Sequence, residues 1–342
     1  MSLKMKLVEL LEESGDGYVS GNSLAGALSV SRNAVWKAVE SLRAEGYDIL
    51  AVTNRGYRLA GYGDALSVSG IEKNLTTKGV FVIDVRKSVS STNTVLRELA
   101  VKGAPEGYVL VAEEQTAGKG RLGRDFHSPG GHGIYFSLLL RPGSGASSRS
   151  GTQGGGASGL GGTQGGVELI TSAAAVAVAG AIEAVLGIRV GIKWVNDLFI
   201  GDRKVCGILT EATFDMETGT ADSAVLGIGV NISEPESGYP DAIRSIAAPL
   251  LQSKAGFGGV RSRLIAAVLD SIWGYYQNLA GKEFLDEYRD RSVVLGRRIY
   301  VISGGEATPA RALEIDDECR LKVRYDDGVV ATLGSGEVSV KK

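Results

Sequence analysis

The chain has 342 residues, 44% of them hydrophobic and 22% charged, and a formal net charge of −2. That length allows two or three domains with at least one sizeable core, and the near balance of charge removes any global attraction to nucleic acid or to acidic membranes. Two cysteines (Cys206, Cys319) and two histidines (His127, His132) leave no disulfide framework, no zinc spacing and little room for histidine-based catalysis.

Residues 1–15 are interrupted by Lys4, Lys6, Glu9, Glu12 and Glu13, unlike a signal peptide. The longest apolar run, 173–182, is short of the ~18 residues a membrane span needs. A cytoplasmic protein with no membrane partner is expected. Leu3, Leu7, Leu10 and Leu11 repeat at helical spacing. Ser20-Gly21-Asn22-Ser23 opens a second helix carrying Leu24 and Leu28. Ser31 caps a third helix, whose apolar stripe is Val35, Trp36, Val39 and Leu42. Residues 48–52 and 57–59 then alternate as short strands around Thr53-Asn54-Arg55-Gly56. This order is that of a winged helix-turn-helix over residues 1–62.

Charge in this unit is polarised. Residues 7–30 hold four acids and no base, whereas residues 31–58 hold Arg32, Lys37, Arg43, Arg55 and Arg58 against three acids. Ser31, Arg32, Asn33 and Lys37 open the third helix, where a recognition helix reaches base edges. Arg55 and Arg58 reach phosphates from the wing. These six are the candidate DNA-binding residues, with a small protein-interaction module as the bland alternative.

Residues 63–290 alternate strand and helix patterns, an α/β or α+β arrangement. Strands are expected at 81–85, 109–112, 133–140, 189–195, 198–200, 204–209 and 224–232, and helices at 92–100, 168–186 and 260–279. Residues 143–166 interrupt this body: eleven of the 24 are glycine, with Arg149 the only charge. Such composition buries too little to offset its ordering entropy, and disorder is expected. Residues 291–342, with turns at 303–305, 316–317 and 326–328, read as a small all-β barrel.

Four segments of the body carry chemistry. Ser90-Ser91-Thr92-Asn93 places hydroxyls and an amide at a helix N-terminus. The loop Gln115-Thr116-Ala117-Gly118-Lys119-Gly120-Arg121-Leu122-Gly123-Arg124 combines three glycines, three cations and no acid, a composition suited to wrapping a phosphate or carboxylate. It matches neither the P-loop nor the dinucleotide fingerprint. Lys193 lies mid-strand between Gly191 and Val195, and lysine is rarely buried without an anionic partner. Gly227-Ile228-Gly229 puts two glycines on one strand face, so a ligand can lie flat on the backbone. Together they describe a slot polar at one end and cationic at the other.

Ser91-Thr92-Asn93, the 115–124 loop, Lys193-Trp194-Val195-Asn196-Asp197-Leu198, Arg203-Lys204-Val205-Cys206-Gly207-Ile208-Leu209 and Gly227-Ile228-Gly229-Val230-Asn231 resemble, in order, the motifs of the biotin protein ligases. The winged helix and terminal barrel resemble the bifunctional class that is also the biotin operon repressor. The resemblance implies an α+β fold: an N-terminal winged helix-turn-helix, a central biotin/lipoate-ligase-like catalytic domain and a C-terminal SH3-like barrel. It implies biotin and ATP as substrates with Mg²⁺, and a biotin carboxyl carrier domain and operator DNA as partners. A homodimer stays open. By resemblance Lys193 and Arg121 are catalytic, and Ser91, Thr92, Asn93, Gln115, Gly118, Lys119, Gly120, Gly227 and Gly229 line the biotinyl-adenylate site. Arg124, Phe126 and Asn196 are nucleotide candidates, and no residue is assigned to hold a metal. Three residues depart from the family pattern: Val195 for proline, Lys119 for arginine and Phe126 for tryptophan. A small-acid-sensing transcription factor without ligase activity and a lipoate-type acyl ligase are the alternatives.

Overall fold

A computed structural model describes the chain except residues 1–2, 15–16, 45–46, 62–65, 143–163, 215–216, 218–220, 253–258 and 341–342. The chain divides into two compact units, Met1–Leu75 with Ser253–Ala266, and Thr76–Gln252 with Ala267–Lys342.

The first unit runs α1 (Leu3–Glu13), α2 (Gly21–Leu28), α3 (Arg32–Ala44), β1 (Asp48–Val52), β2 (Gly56–Gly61) and α4 (Val68–Asn74). Leu7, Leu11, Leu24, Val35, Val39, Leu42 and Ile49 meet in one core. Helices α2, α3 and α4 begin where short hydroxyl side chains satisfy orphan N–H groups. Ser20 Oγ accepts from Ser23 N at 3.0 Å, and Ser31 Oγ from Ala34 N at 3.1 Å. Ser29 closes α2 in the left-handed region, φ 55°. One expectation fails: Trp36 is 52% exposed, and Ala38 takes its place in the buried stripe. Val35, Ala38, Val39 and Leu42 already fill one side of the helix, and Trp36 falls about 100° around from Val35.

The second unit continues with β3 (Val82–Val89), α5 (Thr92–Val101), β4 (Tyr108–Gln115), β5 (Gly133–Leu140), α6 (Gln164–Leu186), β6 (Gly191–Lys193), β7 (Asp197–Ile200), β8 (Arg203–Phe214) and β9 (Ala221–Asn231). Then come α7 (Asp241–Arg244), α8 (Val260–Gln277, of which 260–266 belong to the first unit), α9 (Leu285–Asp290), β10 (Arg298–Ser303), β11 (Glu306–Ile315), β12 (Leu321–Tyr325), β13 (Val330–Leu333) and β14 (Glu337–Val340). Among the described residues one sheet has seven strands in the order β3-β4-β5-β9-β8-β7-β6. Only β3 and β4 pair in parallel, joined across α5. A second sheet has the order β13-β12-β11-β10-β14.

Strand alternation sorts the two faces of the large sheet. Val225 and Leu139 pack with Leu96 and Ala100 of α5, so Gly227, Gly229 and Ser137 share the α5 face. Leu226, Ile228 and Val230 are buried on the other face. There α6 crosses, with Thr171 and Thr210 hydroxyls 2.7 Å apart. Helix α6 starts four residues before the expected 168. Its stretch Gly166–Leu186 is by length and composition apolar enough to cross a membrane, more than the 173–182 run suggests, but 67% of it is buried inside the protein. The glycine-rich 143–166 segment otherwise lies outside the described residues. The strand expected at 189–195 ends at Lys193, and residues 194–196 form the turn to β7.

Candidate active site

The polar end of the site is built at the N-terminus of α5. Ser91 is its N-cap residue but makes no side-chain capping bond. Ser91, Thr92 and Asn93 are nonetheless buried, at 2%, 4% and 3% exposure. Gln115, at the end of β4, accepts at Oε1 from Thr92 N (2.8 Å) and Thr92 Oγ1 (3.1 Å), and donates from Nε2 to Ser128 Oγ (2.9 Å). Ser137 Oγ lies 2.7 Å from both Thr92 Oγ1 and Asn93 Oδ1. One hydroxyl proton serves both contacts, so the group is a linked network rather than five separate bonds.

The cationic loop is a closed hairpin. Gln115 pairs with Ser128 and Lys119 with Asp125; Phe126 N donates to Gly118 O at 2.8 Å and Gly120 N to Arg124 O at 2.7 Å. At its tip Leu122 and Gly123 have φ of 56° and 74°. Leu122 is 76% exposed, so a left-handed leucine is held out at the tip. From this loop Arg121 Nη1 donates to Asn196 Oδ1 (3.0 Å), and Asn196 Nδ2 donates to Ile208 O (2.6 Å).

Between these parts the sheet is bare. Register places Gly207 beside Gly229 and Leu209 beside Gly227. A Cβ on Gly227 would lie 2.0 Å from Asn93 Oδ1, and one on Gly229 would lie 2.5 Å from the Phe126 ring. Only glycine lets α5 and Phe126 settle so close to the strands. The result is a cleft open to solvent. Its lining includes Ser91, Thr92, Asn93, Gln115, Lys119, Gly120, Arg121, Phe126, Asn196, Gly227 and Gly229 of the expected set. The Phe126 ring also meets Tyr135 edge-on, centroids 6.4 Å apart.

Three expected residues do not line the cleft: Lys193, Gly118 and Arg124. Gly118 is packed inside the hairpin, where a Cβ would meet Phe126 O at 2.3 Å. Arg124 turns to the small sheet and binds Glu337 through two bonds of 2.9 and 2.5 Å. That guanidinium holds the Glu337 carboxyl below its ordinary range, while burial of the carboxyl opposes the shift. Lys193 ends β6 with Nζ 5.4 Å from the Phe199 ring centroid. Burial lowers its pKa; Asp197 and Glu337 oppose that, and Lys204 and Arg124 reinforce it. Lys193 therefore stands beside the lining, inside the same charged cluster.

Besides Lys119, the lining holds a second lysine, Lys204, which no signal in the sequence placed there. Its Nζ is 2.7 Å from Asp197 Oδ1 and 5.9 Å from the Phe126 ring centroid. Gly207, Ile208, Leu209 and Ile228 were also missed. Gly207, on β8, joins the floor made by Gly227 and Gly229 of β9 only through the register that pairs it with Gly229.

In the first unit Arg32, Asn33 and Lys37 are exposed on α3, whereas the Ser31 hydroxyl is engaged as a cap. The Arg55 and Arg58 guanidiniums lie 5.0 and 5.3 Å from the Tyr18 ring centroid. Aromatic stacking thus gathers two wing cations.

The model of a helix-turn-helix domain matches residues 4–58, that of the biotin/lipoate A/B protein ligase family residues 85–231, and that of the biotin protein ligase C-terminal domain residues 294–341. A bifunctional ligase/repressor, BirA, of Bacillus spizizenii is 39% identical over 333 residues, 96% of each chain. The bifunctional ligase/repressor BirA of Escherichia coli is 28% identical over 352 residues, 99% of this chain and 98% of that one. Among solved structures, a biotin protein ligase from Aquifex aeolicus in complex with biotin and ATP has a similar fold. Its TM-score is 0.58 at 24% identity, covering 76% of this chain and 98% of that chain. With a glycine-floored cleft beside a cationic loop, and a helix-turn-helix N-terminal in sequence, the chain belongs to the biotin protein ligase family, in its bifunctional ligase/repressor branch.

Proposed function

We propose that this protein is an ATP-dependent biotin–protein ligase that also represses transcription in response to biotin. It forms biotinyl-5′-AMP and transfers biotin to a lysine of a biotin carboxyl carrier domain. The observation that carries the reading is one cleft joining the Ser91–Thr92–Asn93–Gln115 network to Lys119, Arg121 and Lys204 over a glycine floor.

The chemistry follows from that polarity. The ureido ring of biotin needs neutral donors and acceptors, which the α5 end supplies. Its carboxylate must approach a triphosphate, and two anions repel. Lys119, Arg121 and Lys204 line the place where they meet, with Lys193 behind them; positioned cations of this kind lower the barrier by neutralising developing charge. The carboxylate oxygen attacks the α-phosphorus, the bond to the β-phosphate breaks, and pyrophosphate leaves. In the second step the carrier lysine amine attacks the acyl carbon and AMP leaves. No histidine is needed. Phe126, lying on Gly229 and Gly207, offers a face on which adenine stacks.

At the cationic end the Asp197 carboxylate is paired with Lys204, and among the described residues no group of three or more His, Cys, Asp or Glu could hold a metal ion. One carboxylate is no cage, so Mg²⁺ fits this end as an ion brought by the phosphates and held largely by them and by water. The Arg32–Asn33–Lys37 face of α3 and the wing cations read operator DNA. We extend the proposal to the SH3-like character of the five-stranded sheet, to domain limits of 1–62, 63–290 and 291–342, and to a cytoplasmic protein that can form a homodimer. Incubation with biotin, ATP and a carrier domain tests the enzyme half: biotinylated lysine is expected, and no transfer by the intact protein rejects it. Pyrophosphate release on mixing with biotin and ATP separates a ligase from a mere sensor, and competition with lipoate separates the two acyl substrates.

A further inference from the structure

Asn93 carries the densest set of constraints in the cleft, and the residue that sets its direction lies outside the lining. Asn93 Nδ2 donates to Glu211 Oε2 at 2.9 Å and to Leu209 O at 3.2 Å. Both N–H bonds are thereby used. Its Oδ1 faces Ser137 Oγ at 2.7 Å and lies against Gly227. The other Glu211 oxygen accepts from Arg97 Nη1 at 2.7 Å, also on α5. Glu211 is on β8, two residues beyond Leu209 on the same strand face. The carboxylate thus joins two α5 side chains, one lining the cleft and one facing solvent.

An amide is nearly symmetric in shape and opposite in polarity at its two ends. What decides its direction is what it faces. Ser137 is indifferent, because a hydroxyl both donates and accepts. Leu209 O accepts only, through one bond of ordinary length. Glu211 also accepts only, and its bond is charge-assisted, roughly twice as strong as a neutral one. We infer that Glu211 is a positioning residue: through Asn93 it fixes the donor–acceptor polarity of the cleft's polar end and so selects an acid whose ring carries both N–H and C=O groups. This deepens the ligase reading and rests on it.

The test is a double-mutant cycle read by calorimetric titration of biotin and, separately, of ATP. Glu211→Ala is expected to weaken biotin binding more than tenfold and leave ATP binding within twofold. Glu211→Gln, whose Oε1 still accepts from Asn93, is expected to stay within threefold of wild type. In an Asn93→Ala background, Glu211→Ala is expected to add less than twofold. Glu211→Leu keeps volume without an acceptor and carries the same test if the alanine variant melts without cooperativity. The inference is overturned if Glu211→Ala binds biotin within twofold of wild type, or weakens it equally with and without Asn93. Wild-type protein that binds no biotin overturns the ligase reading itself, and this inference with it.

Discussion

Gly227 and Gly229 sit two residues apart on one face of β9, and the same added methyl at each should damage different halves of the reaction. At Gly227 the new Cβ would be 2.0 Å from Asn93 Oδ1 and 2.8 Å from its Cγ. Asn93 is held by α5 and nearly fully buried, so the amide must swing away from Ser137 and Glu211. Overpacking of this kind costs about 1–3 kcal/mol, and the displaced bonds, one of them charged, are worth a similar amount. Taking ~2 kcal/mol as the share that falls on ligand binding, Gly227→Ala weakens biotin about thirtyfold. At Gly229 the Cβ would be 2.5–2.7 Å from two Phe126 ring carbons. That ring hangs from a loop and can leave. Gly229→Ala should therefore raise the KM for ATP several-fold and leave biotin affinity near that of wild type. Steady-state pyrophosphate release, varying one substrate at a time, reads both. Equal effects of the two variants on both substrates would refute the assignment of the two ends.

Lys193→Ala should lower adenylate formation more than tenfold in a single-turnover assay; near-normal pyrophosphate release contradicts its role. Lys204→Met removes the charge that pairs with Asp197 and should cost at least tenfold in the same assay with little change in biotin binding measured alone. Arg124 depresses the folded-state pKa of Glu337. A depressed carboxyl adds stability above its unfolded value, near 4.3, and loses it as pH falls through the folded value. The melting-temperature deficit of Glu337→Gln should accordingly be largest near neutral pH and vanish in acid; a deficit independent of pH rejects the pairing. Ser31→Ala should destabilise the first unit by about 1 kcal/mol in denaturant unfolding, because it removes the cap on Ala34 N.

Local pattern was enough for much of this molecule. The 3.6-residue spacing of Leu7, Leu11, Val35, Val39 and Leu42 placed a core that the structure contains. The period-two glycines of β9 announced a bare strand face, and a hydroxyl-rich helix start announced the polar end. What local pattern could not carry was register. Lys204 enters the cleft because a register shift between β7 and β8 pairs it with Phe199 and so turns it to the Gly207 face, a fact written in no single segment. Arg124 lies 213 residues from Glu337, and its diversion out of the lining follows from how the small sheet packs. Lys193 fell just outside because β6 is three residues long, so the alternation assumed for 189–195 stops at the lysine itself. Trp36 misled for a different reason: an apolar stripe counts hydrophobicity, and helix geometry had already filled the buried side.

Cations gathered from separate segments allow a carboxylate to attack a triphosphate. Isotope exchange between labelled pyrophosphate and ATP measures that step alone, without a carrier protein. Exchange should depend strictly on biotin and fall at least tenfold in Arg121→Ala. Exchange without biotin, or full exchange in Arg121→Ala, contradicts that mechanism.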